Sequence, residues 1–143
     1  MKKYLLIIFV YCFSLSCNSC GTKDNTSNKT TSENSTFSDN GTTFVVKVNS
    51  SKFFIDGIQT KSLFLKKGFT YFFNSSDTST DSHPLFIGTT SSGGIYTFEY
   101  TSGITNSRTT NGTLTFVVPA DSPSTLYYNC GNHSSMGGLI TIN

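Results

Sequence analysis

Apolar and polar residues alternate in short runs from residue 42 to the C-terminus, and Gly, Asn, Ser, Asp or Lys interrupts each run before a helical period can establish itself. Strict alternation puts every second side chain on one face, as in a strand with one buried side; an amphipathic helix would repeat about every three to four residues. Strands are predicted over residues 43–48, 52–56, 62–65, 69–74, 85–88, 96–100, 114–118, 125–129 and 139–142. Phe, Tyr, Val, Ile, Leu and Thr fill these runs, and the chain holds 13 Phe and 7 Tyr but no Trp. Aromatic and β-branched side chains fit a pleated, half-buried surface. The expectation is an all-β Greek-key β-sandwich with an aromatic core, formed by residues 42–143.

Upstream of that domain the alternation is lost in two different ways. Residues 1–17 open with Met1, Lys2 and Lys3, pass through an apolar run over residues 4–11, and turn small or polar by Ser14, Leu15 and Ser16. A charged start before a short apolar run is the pattern of an export signal, and the run is shorter than the roughly 18 apolar residues a membrane span requires. The end of the segment resembles a bacterial lipoprotein signal, in which a cysteine following a short box of apolar and small residues is lipidated and becomes the first mature residue. Cys17 takes that position and Cys20 is the second choice; the box usually carries its branched residue one place before Leu15, where this chain has Ser14. Simple cleavage to a soluble exported protein is the alternative. Residues 18–41 are dominated by Ser, Thr and Asn with Phe37 as the single aromatic. So little apolar surface cannot offset conformational entropy, and the stretch reads as a flexible linker. The expected location is the cell envelope, periplasm or cell surface, with the membrane as a partner through the lipid anchor.

A chain of 143 residues has room for one domain with a substantial core. Its formal net charge is +2. Within the domain Lys47, Lys52, Lys61, Lys66, Lys67 and Arg108 nearly balance Asp56, Asp77, Asp81, Glu99 and Asp121, so no basic patch speaks for nucleic acid. Of the four cysteines, Cys12 lies in the signal and Cys17 is the lipidation candidate, which leaves Cys20 and Cys130. A free thiol at Cys130 is the preferred reading; a disulfide between Cys20 and Cys130 is the competing account in an oxidising compartment. Asn-x-Ser/Thr triplets, such as that beginning at Asn74, read as chance in an Asn-rich chain with a lipoprotein-like signal.

The scarce residues carry the chemistry. The two histidines, the one methionine besides Met1, and the one cysteine beyond residue 20 are His83, Cys130, His133 and Met136. Cys-x-x-His-x-x-Met packs a thiolate, an imidazole and a thioether into one short loop, and His83 adds a second imidazole from elsewhere in the fold. Two His, one Cys and a weak axial Met form the donor set of a blue copper site, whereas zinc sites make no use of a thioether. The set therefore favours one copper ion, cycling between Cu(I) and Cu(II). Read singly, each residue has a structural alternative: a turn histidine before Pro84, a loop histidine, a small buried hydrophobe, a gap-filling methionine.

Residues 126–143, with Leu126, Tyr127, Tyr128 and Asn129 leading into Cys130 and with Gly137 and Gly138 opening the last strand, resemble the final third of the cupredoxins, in particular plastocyanin-like proteins; the short ligand spacing is similar to the amicyanin type. The resemblance implies that His83 is the upstream ligand, that Cys130 and His133 complete a trigonal plane, and that Met136 is axial. One departure is visible. Many blue copper proteins follow the upstream histidine with an Asn that braces the ligand loop, and this chain has Pro84 there. Outer partners orient ligands and tune the metal, so the brace must be found elsewhere or be missing.

The function expected is one-electron transfer with a redox protein partner of the cell envelope. An enzyme is not expected: a trinuclear oxygen-reducing centre needs many histidines, none remains after His83 and His133, and Asp81 near His83 reads as a solvated loop acid. A copper sequestration or delivery module without electron transfer, and a surface interaction domain in which the four residues are structural, are the alternatives.

Overall fold

The computed structural model describes residues 41–143. The predicted signal peptide, Cys17, Cys20 and the linker as far as residue 40 lie outside the described residues. Among the described residues ten strands form two sheets: β1 (Thr42–Asn49), β2 (Lys52–Ile55), β3 (Ile58–Gln59), β4 (Leu63–Leu65), β5 (Thr70–Asn74), β6 (Leu85–Gly88), β7 (Ile104–Thr105), β8 (Thr113–Val117), β9 (Thr125–Cys130) and β10 (Gly137–Ile142). The larger sheet has the order β3-β2-β1-β5-β8-β7 and the smaller β4-β10-β9-β6. Both are mixed. β1 lies parallel to β5 and β4 parallel to β10, while the remaining pairs are antiparallel.

Alternation does the work the sequence promised. In β1, Phe44 and Val46 turn inward and Val45 and Lys47 outward; Tyr71 and Phe73 of β5 and Leu114 and Phe116 of β8 continue the inner layer. From the opposite sheet Leu63 and Leu65, Leu126 and Tyr128, and Ile140 and Ile142 face them. The aromatic rings interlock, with Phe44 stacked on Tyr71 at 6.1 Å and tilted against Phe73 at 5.1 Å between centroids. Tyr128 is fully buried, and its hydroxyl is satisfied by donating to the Lys61 carbonyl at 2.9 Å. The same period of two runs along β9 through Leu126 and Tyr128 to Cys130, so the thiol lies at the end of an inward-facing row. Burial of this apolar layer is the main stabilising term.

One predicted strand is not formed. Residues 96–100 alternate Tyr, Phe and Tyr around Thr and Glu as a strand would, but they turn, with the Glu99 N–H on the Tyr96 carbonyl at 3.0 Å, and their backbone pairs with the sheet only as an isolated bridge between Glu99 and Gly88. The physical reason is that their aromatics serve different surfaces. Tyr96 packs edge-on against Phe86 at 5.1 Å on the outside of the smaller sheet, Tyr100 meets the core ring Phe116 at 6.1 Å, and Phe98 stays exposed. The two-residue strands β3 and β7 were too short to show a period. Among the described residues no helix is long and apolar enough to cross a membrane.

Candidate metal centre

His83, Cys130 and His133 come together at one pole of the sandwich, with one potential ligand atom from each lying within 4.8 Å of the others. Each is placed by a different local device. Cys130 terminates β9 and pairs with Leu85 of β6, the second residue after His83, so strand register alone brings the thiol beside the upstream histidine. The polar loop before His83 is organised by a single 3-10 turn, Thr78–Thr80, capped by the Asp77 carboxylate accepting from the Ser79 N–H at 3.1 Å. Thr80, fully buried, donates its hydroxyl within reach of the Ser75, Asp77 and Thr110 carbonyls, and the His83 N–H closes on the Thr80 carbonyl at 2.8 Å. His133 sits in the short loop between β9 and β10. Met136 closes that loop, buried, with its carbonyl accepting the Cys130 N–H at 2.9 Å.

The donor atoms converge on the sulfur. His133 Nδ1 is 3.4 Å and His83 Nδ1 3.8 Å from Cys130 Sγ, and the two imidazole rings lie 4.8 Å apart with their planes inclined by 31°. A thiol has one proton and can satisfy one imidazole nitrogen; two nitrogens facing one sulfur form a set of lone pairs that a single cation satisfies together. The electrostatics agree. Burial, reinforced by the neighbouring His133, holds His83 below the usual imidazole range and so in the neutral form a metal needs. Burial raises the Cys130 thiol, only partly opposed by hydrogen bonds from the Asn132 and His133 N–H groups, so it is a cation's charge that would draw off the proton. Cys130 is buried and makes no disulfide among the described residues. The residues fit copper, and His83, Cys130, His133 and Met136 are positioned for a single ion.

Several contacts that the sequence did not disclose clamp the loop. The Gly93 N–H donates to the Ser134 carbonyl at 3.1 Å, the Gly94 N–H to the Cys130 carbonyl at 2.8 Å, and the Gly131 N–H to the Pro84 carbonyl at 2.8 Å. The Lys52 ammonium reaches across from β2 to the Ser135 carbonyl at 2.8 Å. A Cβ on Gly93 would stand 2.5 Å from the Cys130 carbonyl oxygen and closer still to that of His133, so that position requires glycine, and one on Gly131 would displace the Tyr96 phenol. The Gly93 and Gly94 doublet is the one part of this clamp with a sequence signal, since paired glycines allow close backbone approach. Asp81 is exposed and does not join the centre.

Fold and site together define a cupredoxin sandwich with a potential type 1 copper centre. Comparison with solved structures gives the particular resemblance. Reduced rusticyanin aligns with a TM-score of 0.54 at 16% identity, over 78% of this chain and 86% of that chain. A second structure of rusticyanin, a copper protein, aligns with a TM-score of 0.52 at 17% identity, over 80% of this chain and 86% of that one. At such identities the likeness is one of fold. No protein-family model and no curated protein matches the sequence.

Proposed function

We propose that this protein is a one-electron carrier of the cell envelope, in which His83, Cys130, His133 and Met136 would hold a copper ion. The observation that carries the reading is the convergence of two imidazoles and a buried thiol within 4.8 Å at the end of a rigid sandwich. Bound copper would supply the Cu(I)/Cu(II) couple. The chain's own part is to hold the donors where they are. Hydrogen bonds from residues 93 and 94, from Gly131 and from Lys52 fix the loop on several sides, and a site so held has little to rearrange when an electron arrives or leaves. His133 is half-buried beside the exposed Asn132, Ser134 and Ser135, so small polar neighbours leave the imidazole edge open to a redox protein.

A visible spectrum of the copper-loaded protein tests the reading. An intense thiolate-to-Cu(II) band that disappears in Cys130→Ser is expected; absence of copper uptake by the wild-type chain overturns it, and a colourless Cu(I) complex would instead identify a copper-holding module. Attachment to the membrane through Cys17 belongs to the same proposal and is supported by the apolar run that ends there. Cys17→Ala should release the protein from the membrane fraction or leave it unprocessed, and unchanged lipid labelling of that variant removes Cys17 as the anchor.

A further inference from the structure

Pro84 creates a deficit beside the centre that another residue makes good. Proline has no N–H, so the backbone following His83 cannot donate to the Cys130 sulfur, and its ring offers no side-chain hydrogen bond to hold the ligand loop. Asn132, on the opposite side of the gap, makes both kinds of contact. Its backbone N–H points at Cys130 Sγ from 3.5 Å, and its side-chain Nδ2 donates to the Ser82 carbonyl at 2.9 Å. Ser82 immediately precedes His83. One residue thus touches the sulfur through its main chain and the upstream histidine's loop through its side chain, spanning the gap between the two segments that provide the donors.

Resting on the copper reading above, we propose that Asn132 is the positioning residue of the centre, reversing the direction of the brace: the ligand loop reaches back to the upstream loop. The side-chain bond ties the loop of His83 to the ligand loop, beyond what strand register fixes. The main-chain bond acts on the sulfur itself. A donor on a thiolate draws electron density from it, weakens it as a donor to the more highly charged ion, and so raises the potential; hydrogen bonding at the Cys sulfur is a recognised tuning device of such sites. The two functions are separable by substitution, because Asn132→Ala deletes only the side-chain bond while Asn132→Pro deletes the N–H as well.

Asn132→Ala should lower copper affinity by about tenfold, the lower end of the range for outer partners of metal ligands, and alter the intensities of the visible bands while leaving the potential near the wild-type value. Asn132→Asp, which keeps the shape but turns an acceptor towards the Ser82 carbonyl, should lose at least as much affinity. Asn132→Pro should in addition lower the potential. In the apo protein, Asn132→Ala should speed hydrogen exchange at Gly131 and His133 without moving the melting temperature of the sandwich, because Asn132 is exposed and its truncation opens no cavity. Copper affinity within twofold of wild type, with unchanged bands and unchanged exchange in Asn132→Ala, overturns the proposal whether or not the proline variant folds. A wild-type protein that takes up no copper overturns the copper reading and this role with it; the exchange measurement needs no metal, so the two failures are told apart.

Discussion

The two sheets of the sandwich use their outer faces differently. The larger sheet follows the simple rule of one wet face: Val45 and Val117 are exposed by 44% and 48% while their neighbours Phe44 and Phe116 are buried. The smaller sheet is covered on both sides where β6 and β9 pair. Phe86 and Asn129, outward by register, are nonetheless buried beneath residues 89–100. Tyr96 packs on Phe86, the Arg108 guanidinium lies 4.0 Å from the centre of the Tyr96 ring, and Glu99 pairs with Arg108 to close the cover. The lesson is that the strand carrying Cys130 is shielded from both faces, which keeps the thiol buried, while the sheet that carries no ligand keeps a solvated face.

Substitutions can break that contrast, beginning with the largest expected effect. Phe86→Ala should destabilise the protein by about 3–5 kcal/mol, as much as Phe73→Ala in the inner core, because both empty a fully buried aromatic site. Urea unfolding measures both; a loss below about 1 kcal/mol for Phe86→Ala would reduce the covering segment to an ordinary surface loop. Gly93→Ala should cost about 1–3 kcal/mol by overpacking and weaken copper binding too, since the displaced atoms are the Cys130 and His133 carbonyls. Glu99→Gln should cost about 1 kcal/mol through the weakened bond to Arg108. Burial raises the Glu99 carboxyl, but bonds from Arg108 and Ser107 and the Arg108 charge prevail and hold it below its ordinary value. Its stabilising effect is therefore complete above about pH 4.5, the ordinary value, and lost as pH falls through the lowered one. An acid titration of stability in which wild type and Glu99→Gln lose it in parallel would contradict this. Val117→Thr, on the wet face of the larger sheet, should change stability by no more than about 0.5 kcal/mol.

The same contrast explains what the sequence disclosed. Strands with one wet face were legible because burial there tracks alternation, and β1, β2, β5 and β8 fall within a residue of the expected bounds, as do β4 and β9 and, as a short apolar run buried on both faces, β6. Alternation misled at residues 96–100, where a covering segment carries aromatics for three separate surfaces. The donors His83, Cys130, His133 and Met136 stood out because their residue types are rare in this chain. The clamps around them did not. Apart from the glycine doublet, Lys52 and Asn132 act on main-chain carbonyls, and a carbonyl acceptor leaves no mark on the identity of the residue that bears it. The replacement of the expected Asn by Pro84 pointed to a missing brace, but only the fold shows Asn132 in its place.

The direction of β1 also orients the molecule. β1 runs parallel to β5, whose far end leads into the loop of His83, and its first residues pair beside Thr70, next to the turn where Lys67 meets Asn143. Gly41 thus lies at the pole remote from His133, and the eight residues of β1 separate the two poles by about 26 Å, at roughly 3.3 Å per residue. A redox partner meeting the edge of His133, as proposed, would approach the end of the sandwich opposite Gly41.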